Sequence, residues 1–197
     1  MTHNENSSPK PIARMACLGG GHGLFNTLRS ARTIADYVAA IVTVADDGGS
    51  SGRIRRELGS LPPGDLRMAL AALTRDNERG RMWEDVIQHR FGGSGALKGH
   101  ALGNFLITGL AQVMGSELKA LDEIGRLLGI EGRVIPMSNE PLDLEAEVLG
   151  LEEDPREVVA VRGQVAVAST LGEVRRVKLY PVAVSYTHLT LPTSDLV

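Results

Sequence analysis

The chain of 197 residues has a single cysteine, Cys17. A disulfide framework is therefore excluded, and a reducing compartment suits the protein. Set in an apolar run, Cys17 reads as a small buried strand residue rather than a nucleophile. Aromatic residues are scarce, at 4%, which argues against base-stacking platforms. The formal net charge of −3 gives no bulk attraction to nucleic acid or to an anionic membrane. No apolar run is long enough to span a bilayer. The polar opening MTHNENSSPKP lacks the apolar core of a signal peptide. These absences describe a cytoplasmic, soluble protein with no nucleic-acid partner and no membrane insertion, and with residues 1–11 as a disordered start.

The chain does have an apolar content of 43%, enough for one globular domain with a sizeable core. IARMACL (residues 12–18) reads as a short buried strand. Leu24, Leu28, Ala31 and Ala35 then recur at helical spacing, and YVAAIVTVA (37–45) reads as a strand covered on both faces. Strand, helix, strand in this order is a βαβ unit with a right-handed crossover. Ile54, Leu58 and Leu61 predict one or two helical turns. Helices follow from Leu66, over residues 82–91, over 104–114 (apolar nearly all round, hence buried) and from Leu118. From about Val134 the pattern turns strand-rich: RVIPM, EAEVLGL, VVAVRGQVAVAST and EVRRVKLYPVAV alternate or run β-branched. Residues 185–197, SYTHLTLPTSDLV, continue none of this and read as a non-native tail.

Gly19, Gly20, Gly21 and Gly23 stand between the first strand and its helix, around His22. Glycine allows close backbone approach to a ligand, and the helix start offers free N–H groups and a positive dipole end. The loop suits a phosphate or pyrophosphate. It does not complete G-x-G-x-x-G, because residue 24 is Leu, and no Walker lysine follows. His22 is either an exposed loop imidazole or a donor to a phosphate oxygen.

About 25 residues beyond this loop, near where a doubly wound domain keeps its ribose-binding acid, the chain reads VADDGGSSGR. Asp46 and Asp47 could hold a metal, grip a sugar hydroxyl, take a proton or start a turn. In an extended chain one reaches the ligand and the other caps the next turn or helix. If the chain turns at Asp46, both converge on Mg²⁺ through its waters. Ser50 and Ser51 add hydroxyls, and Arg53, Arg55 and Arg56 offer charge for a second anion. Asp65, in LPPGDLR, reads as a helix N-cap. His100 and Asn104 stand at the start of a buried helix beside a glycine-rich connection. No two histidines have metal-ligand spacing, which argues against zinc.

CLGGGHGL, IVTVADDGGSSGRIRREL, LPPGDLRMALAAL, HRFGG, GHALGNFLITGL and GRVIPMSNEPLDLEAEV resemble, in order, the YvcK-type gluconeogenesis factors of the CofD-like superfamily. The resemblance implies a Rossmann-like three-layer α/β/α fold with a mainly parallel sheet, as a single domain over residues 12–184. It implies binding of UDP-N-acetylglucosamine and a regulatory role linking gluconeogenic carbon metabolism with cell-envelope synthesis and cell shape. Proteins of cell-wall synthesis become candidate partners, and a homo-oligomer a candidate assembly. Carried over, Gly19, Gly20, Gly21, His22, Gly23, Asp46, Asp47, Ser50, Ser51, Arg53, Asp65, His100 and Asn104 line the ligand crevice. Many relatives have Thr or Ser at the place of His22. Relatives continue past residue 181 with another α/β segment, so the domain is expected to be incomplete at its C-terminal end. The alternative reading is a Mg²⁺-dependent transferase of a phospholactyl or related group, with Asp46 or Asp47 catalytic. A nicotinamide dinucleotide binder is the third reading.

Overall fold

The structure, a computed structural model, describes residues 10–152, 154 and 156–180. The proposed tail at 185–197, and the end of the last expected strand, lie outside the described residues. Of the expected disordered start, only residues 10 and 11 are described, and Lys10 Nζ donates to the Ala35 carbonyl at 3.1 Å.

The βαβ unit consists of β1 (Ile12–Gly19), α1 (Gly21–Ile34) and β2 (Ala35–Val42). Next come α2 (Gly49–Leu58), α3 (Pro63–Leu73), α4 (Glu78–Gln88), α5 (Leu102–Met114) and α6 (Glu117–Leu128). They lead to β3 (Gly132–Pro136), which pairs parallel with β2, so the first sheet runs β1-β2-β3. Cys17, Val38, Ala40, Val42 and Val134 bury one face of this sheet together with Leu24, Leu28, Leu66 and Leu70 of α1 and α3. The fold is α/β and Rossmann-like, a parallel sheet flanked by helices. On the other sheet face Leu18 remains 73% exposed beside half-buried Ile41.

The strand-rich second half does not extend this sheet. β4 (Asp143–Leu149), β5 (Val158–Arg162) and β6 (Glu173–Tyr180) form a second, antiparallel sheet in the order β5-β4-β6. Its strands alternate as two-faced strands do. Leu144, Ala146 and Val148 share a face with Leu179, Val177 and Val174 across the ladder. Glu145 on the opposite face pairs with Lys178 at 2.9 Å.

Several local expectations are corrected. QVAVAS, expected as strand, is a short helix, α7 (Gln164–Ser169), because Gly163 (φ +105°) turns the chain out of β5. The helix read from Ile54 onward starts earlier, inside GGSSG. α3 starts on Pro63, so Asp65 is its third residue and not its N-cap. The helix expected over 82–91 spans Glu78–Gln88, capped by Asn77, whose side chain accepts from Gly80 N–H. Helix α5, expected to be buried all round, buries Asn104, Ile107, Thr108 and Ala111 and leaves Val113 84% exposed. Its sequence is apolar on more faces than the described residues cover.

Candidate functional site

The carboxyl ends of β1 and β2 lie side by side, tied where Thr43 N–H donates to the Gly19 carbonyl at 2.9 Å. Beyond them opens a cavity of about 500 Å³. Gly20, Gly21, Thr43, Asp46 and Asp65 form its polar wall, and Met137, Leu144 and Leu179 its apolar wall. The parallel sheet supplies the first wall and the antiparallel sheet much of the second. This volume lies within the range of small-molecule sites.

The glycine loop enters α1 directly, with Gly20 as N-cap and Gly21 in the left-handed region at φ +57°. Gly20 is required by space. A Cβ there would come closer than 3.0 Å to both the Thr43 hydroxyl and the Asp65 carboxylate. His22 and Gly23 are exposed on α1 and do not line this cavity.

Asp65 takes an unexpected position. Its carboxylate accepts from Gly21 N–H and from Thr43 Oγ1 at 3.3 Å. The first amide of α1 thus already faces a protein carboxylate. Burial raises the Asp65 pKa and the neighbouring Asp46 raises it further, while Gly21, Thr43 and Arg67 oppose this. Asp46 Oδ1 accepts from Gly48 N–H at 2.9 Å. The carboxylate that shares the cavity with Asp46 is therefore Asp65, not its sequence neighbour Asp47. Asp46 raises the cost of ionising Asp65, a repulsion that a hard cation between the two carboxylates would relieve. Mg²⁺ is commonly held by one or two carboxylates plus ligand phosphates and waters. Among the described residues no group of three or more His, Cys, Asp or Glu is placed for a metal, so these two would need ligand oxygens or waters to complete a shell.

Asp47 points elsewhere. Its Oδ1 accepts from Val165 N–H at 3.0 Å, which caps the first turn of α7 across 118 residues of sequence. Replacing Asp47 with Ala is expected to destabilise the fold by about 0.5–2 kcal/mol, the usual loss for a helix cap. Asp47→Asn, which keeps an acceptor oxygen, should lose less. Urea unfolding of the two variants measures the difference.

The three arginines offered for a second anion are engaged with protein. Arg53 donates to the Lys98 carbonyl (3.1 Å) and Arg56 to the Asp47 carbonyl (3.3 Å). Arg55 donates to the Leu142 carbonyl (3.0 Å) and to Asp143 (2.5 Å). Asp143 also receives Arg162 at 2.7 Å. Burial raises its carboxyl, and the two arginines outweigh that, so its pKa falls below the ordinary carboxylate value. This ion group links α2 to the antiparallel sheet.

Ser50, His100 and Asn104 meet in one buried network. Ser50 Oγ lies 2.9 Å from His100 Nδ1 and accepts from Asn104 Nδ2 at 3.0 Å. Asn104 Oδ1 accepts from Arg67 Nε at 3.0 Å. Burial, and then Arg53, lower the His100 pKa, so the imidazole is neutral at pH 7. Ser51 is buried beside Gly64, where a Cβ would collide with the Ser51 hydroxyl. Arg67 and Arg90 were not among the site residues expected from sequence. The only sequence signal for Arg67 was its place two residues after Asp65.

The 2-phospho-L-lactate transferase CofD family matches residues 15–192. A Mycobacterium leprae protein with a gluconeogenesis-factor name is 60% identical over 175 residues, which are 89% of this chain and 49% of that protein. The gluconeogenesis factor of Bacillus subtilis is 40% identical over 168 residues, 85% of this chain and 50% of its own. The crystal structure of a UPF0052 family protein from Bacillus halodurans superposes with a TM-score of 0.75 at 37% identity, covering 88% of this chain and 52% of that one. The chain spans about half the length of the curated relatives it matches. No helix among the described residues is long and apolar enough to cross a membrane. With the motifs in order along one Rossmann-like scaffold, the chain belongs to the CofD family, in its gluconeogenesis-factor group.

Proposed function

We propose that this protein binds a nucleotide sugar, UDP-N-acetylglucosamine, in the cavity between the glycine loop and the antiparallel sheet, and acts as a cytoplasmic regulator rather than an enzyme. The observation that carries the reading is the cavity's two-sided wall. Asp46, Asp65 and Thr43 present acceptors and a hydroxyl to ribose or sugar hydroxyls. Met137, Leu144 and Leu179 offer apolar surface to the flat faces of base and sugar. Because Asp65 already holds Gly21 N–H, a diphosphate approaches this loop against two carboxylates. A Mg²⁺ ion between Asp46, Asp65 and the diphosphate would remove that repulsion. Ligand occupancy would then report the supply of envelope precursors, coupling carbon metabolism to envelope synthesis and cell shape.

Calorimetric titration with UDP-N-acetylglucosamine tests the reading, with and without Mg²⁺ and beside the full-length Mycobacterium leprae relative. Saturable binding that tightens about tenfold or more with Mg²⁺ is expected; tenfold corresponds to about 1.4 kcal/mol. Binding by the relative alone would place essential contacts in the half this chain does not span. No heat from either protein, or equal competition by NAD, would end the proposal.

A further inference from the structure

In the glycine loop that the sequence marks for phosphate, Asp65 already meets the first amide, that of Gly21. A second set of free helix amides lies one cavity away. A pocket of about 240 Å³ sits between the start of α2, the start of α3 and Asn104 of α5. That is below the roughly 300–1,000 Å³ of sites for whole drug-sized ligands, so it fits a group rather than a molecule.

Two independent features converge there. The first is the N-terminus of α2, a helix of 10 residues with no side-chain cap. Its first intrahelical bond runs from Gly52 N–H to the Gly48 carbonyl. The amides of Gly49, Ser50 and Ser51 therefore precede the ladder, at the positive end of the dipole. The second is Arg67, which lines the pocket although only 4% of it is exposed. Its Nε is held by Asn104, which is itself fixed by Ser50. Among the described residues nothing accepts from its two Nη groups. The Nη end of this largely buried guanidinium therefore faces the pocket, free to offer a fork of donors to an anion. Burial and nearby Arg90 lower its pKa to about 10, with Asp65 opposing, so it is still a cation at neutral pH.

We propose that this pocket is a phosphate subsite, in which Arg67 and the first amides of α2 bind the phosphate group of a small molecule distinct from the glycine-loop ligand. Guanidinium and tetrahedral oxyanion match as a fork of parallel hydrogen bonds, and helix amides complete such sites. Asp46 and Asp65 line both cavities, so a phosphate here also meets their charge, which Arg67 and the α2 amides must outweigh. Arg90, exposed at the rim with one Nη on the Gly99 carbonyl, adds attraction at the mouth. The inference does not depend on what fills the larger cavity.

The test is a titration of the ¹⁵N-labelled chain with inorganic phosphate, followed by NMR. Saturable shifts are expected at the amides of Gly49, Ser50 and Ser51 and at Arg67 Nε–H. Residues 20–23 should stay unmoved, and the shifts should persist with excess UDP-N-acetylglucosamine. Arg67→Lys, which keeps the charge and loses the fork, should weaken phosphate about tenfold. If that variant does not fold, Arg90→Gln should still weaken it about threefold. Shifts confined to residues 20–23, no saturable shift, or phosphate displaced by the nucleotide sugar would each overturn the proposal. So would a folded Arg67→Lys chain with unchanged affinity. The phosphate arm alone decides the question even if the nucleotide sugar does not bind.

Discussion

Replacing Gly20 with Ala should weaken nucleotide-sugar binding at least about tenfold and leave the chain folded. The added methyl would stand closer than 3.0 Å to the Thr43 hydroxyl and to the Asp65 carboxylate. Both are side-chain ends, so they can move, and the backbone of β1 and α1 need not. Moving them breaks the Thr43–Asp65 bond and pulls Asp65 from Gly21 N–H. Overpacking of this kind costs about 1–3 kcal/mol of stability. Binding should fall between about tenfold and a hundredfold, because hydrogen bonds to a charged group contribute about 1.5–3 kcal/mol each. Gly23→Ala is the control. Nothing lies within 4 Å of a Cβ at that exposed helical position, and Ala in a helix is favoured over Gly by about 1 kcal/mol. That variant should bind normally and melt no lower than the parent. Calorimetry paired with urea unfolding reads both outcomes. A Gly20→Ala chain that binds within threefold of the parent would show that the ligand does not use this wall.

The parallel half of the molecule was legible because its signals are local. IARMACL and YVAAIVTVA are apolar runs separated by a helical repeat, and they form β1 and β2 with boundaries shifted by a few residues. The glycine loop was legible for the same reason, since it sits at the first strand–helix junction. What stayed hidden depends on contacts distant in sequence. QVAVAS has β-branched residues and reads as strand, yet Asp47 caps it into a helix from 118 residues away. GGSSG reads as a loop, because glycine disfavours helix. Gly52 is nevertheless helical, and glycine is required there because a Cβ would strike the Asp47 carbonyl. The pairing of Asp46 with Asp65, rather than with Asp47, depends on how α3 packs against the sheet, which no spacing in the sequence encodes. The burial of Arg67 has no mark in the sequence, because an arginine on a helix is normally solvated. Here its burial is produced by Gly103, whose missing side chain makes room for the Arg67 stem.

Asp65→Asn should make the chain more stable at neutral pH and a worse binder. In the folded state the Asp65 pKa is raised above its reference of 3.8, by burial and by Asp46. Between 3.8 and that raised value the folded chain holds more protons at this site than the unfolded chain. Stability therefore falls as pH rises through the window, and the penalty is fully present above it. Asn carries no charge to desolvate and none for Asp46 to repel, while its Oδ1 can still accept from Thr43 and Gly21. The gain over the parent should be largest at neutral pH, shrink as pH falls, and vanish below 3.8. Denaturant unfolding at several pH values reads this directly. Binding should move the other way: without the second carboxylate, the Mg²⁺ enhancement of nucleotide-sugar affinity should be lost. A carboxylate that weakens its own fold while facing a cavity is the pattern expected of a group retained for its ligand. If the variant were instead less stable at neutral pH, the Thr43 and Gly21 bonds would outweigh desolvation, and Asp65 would be a structural anchor for the glycine loop.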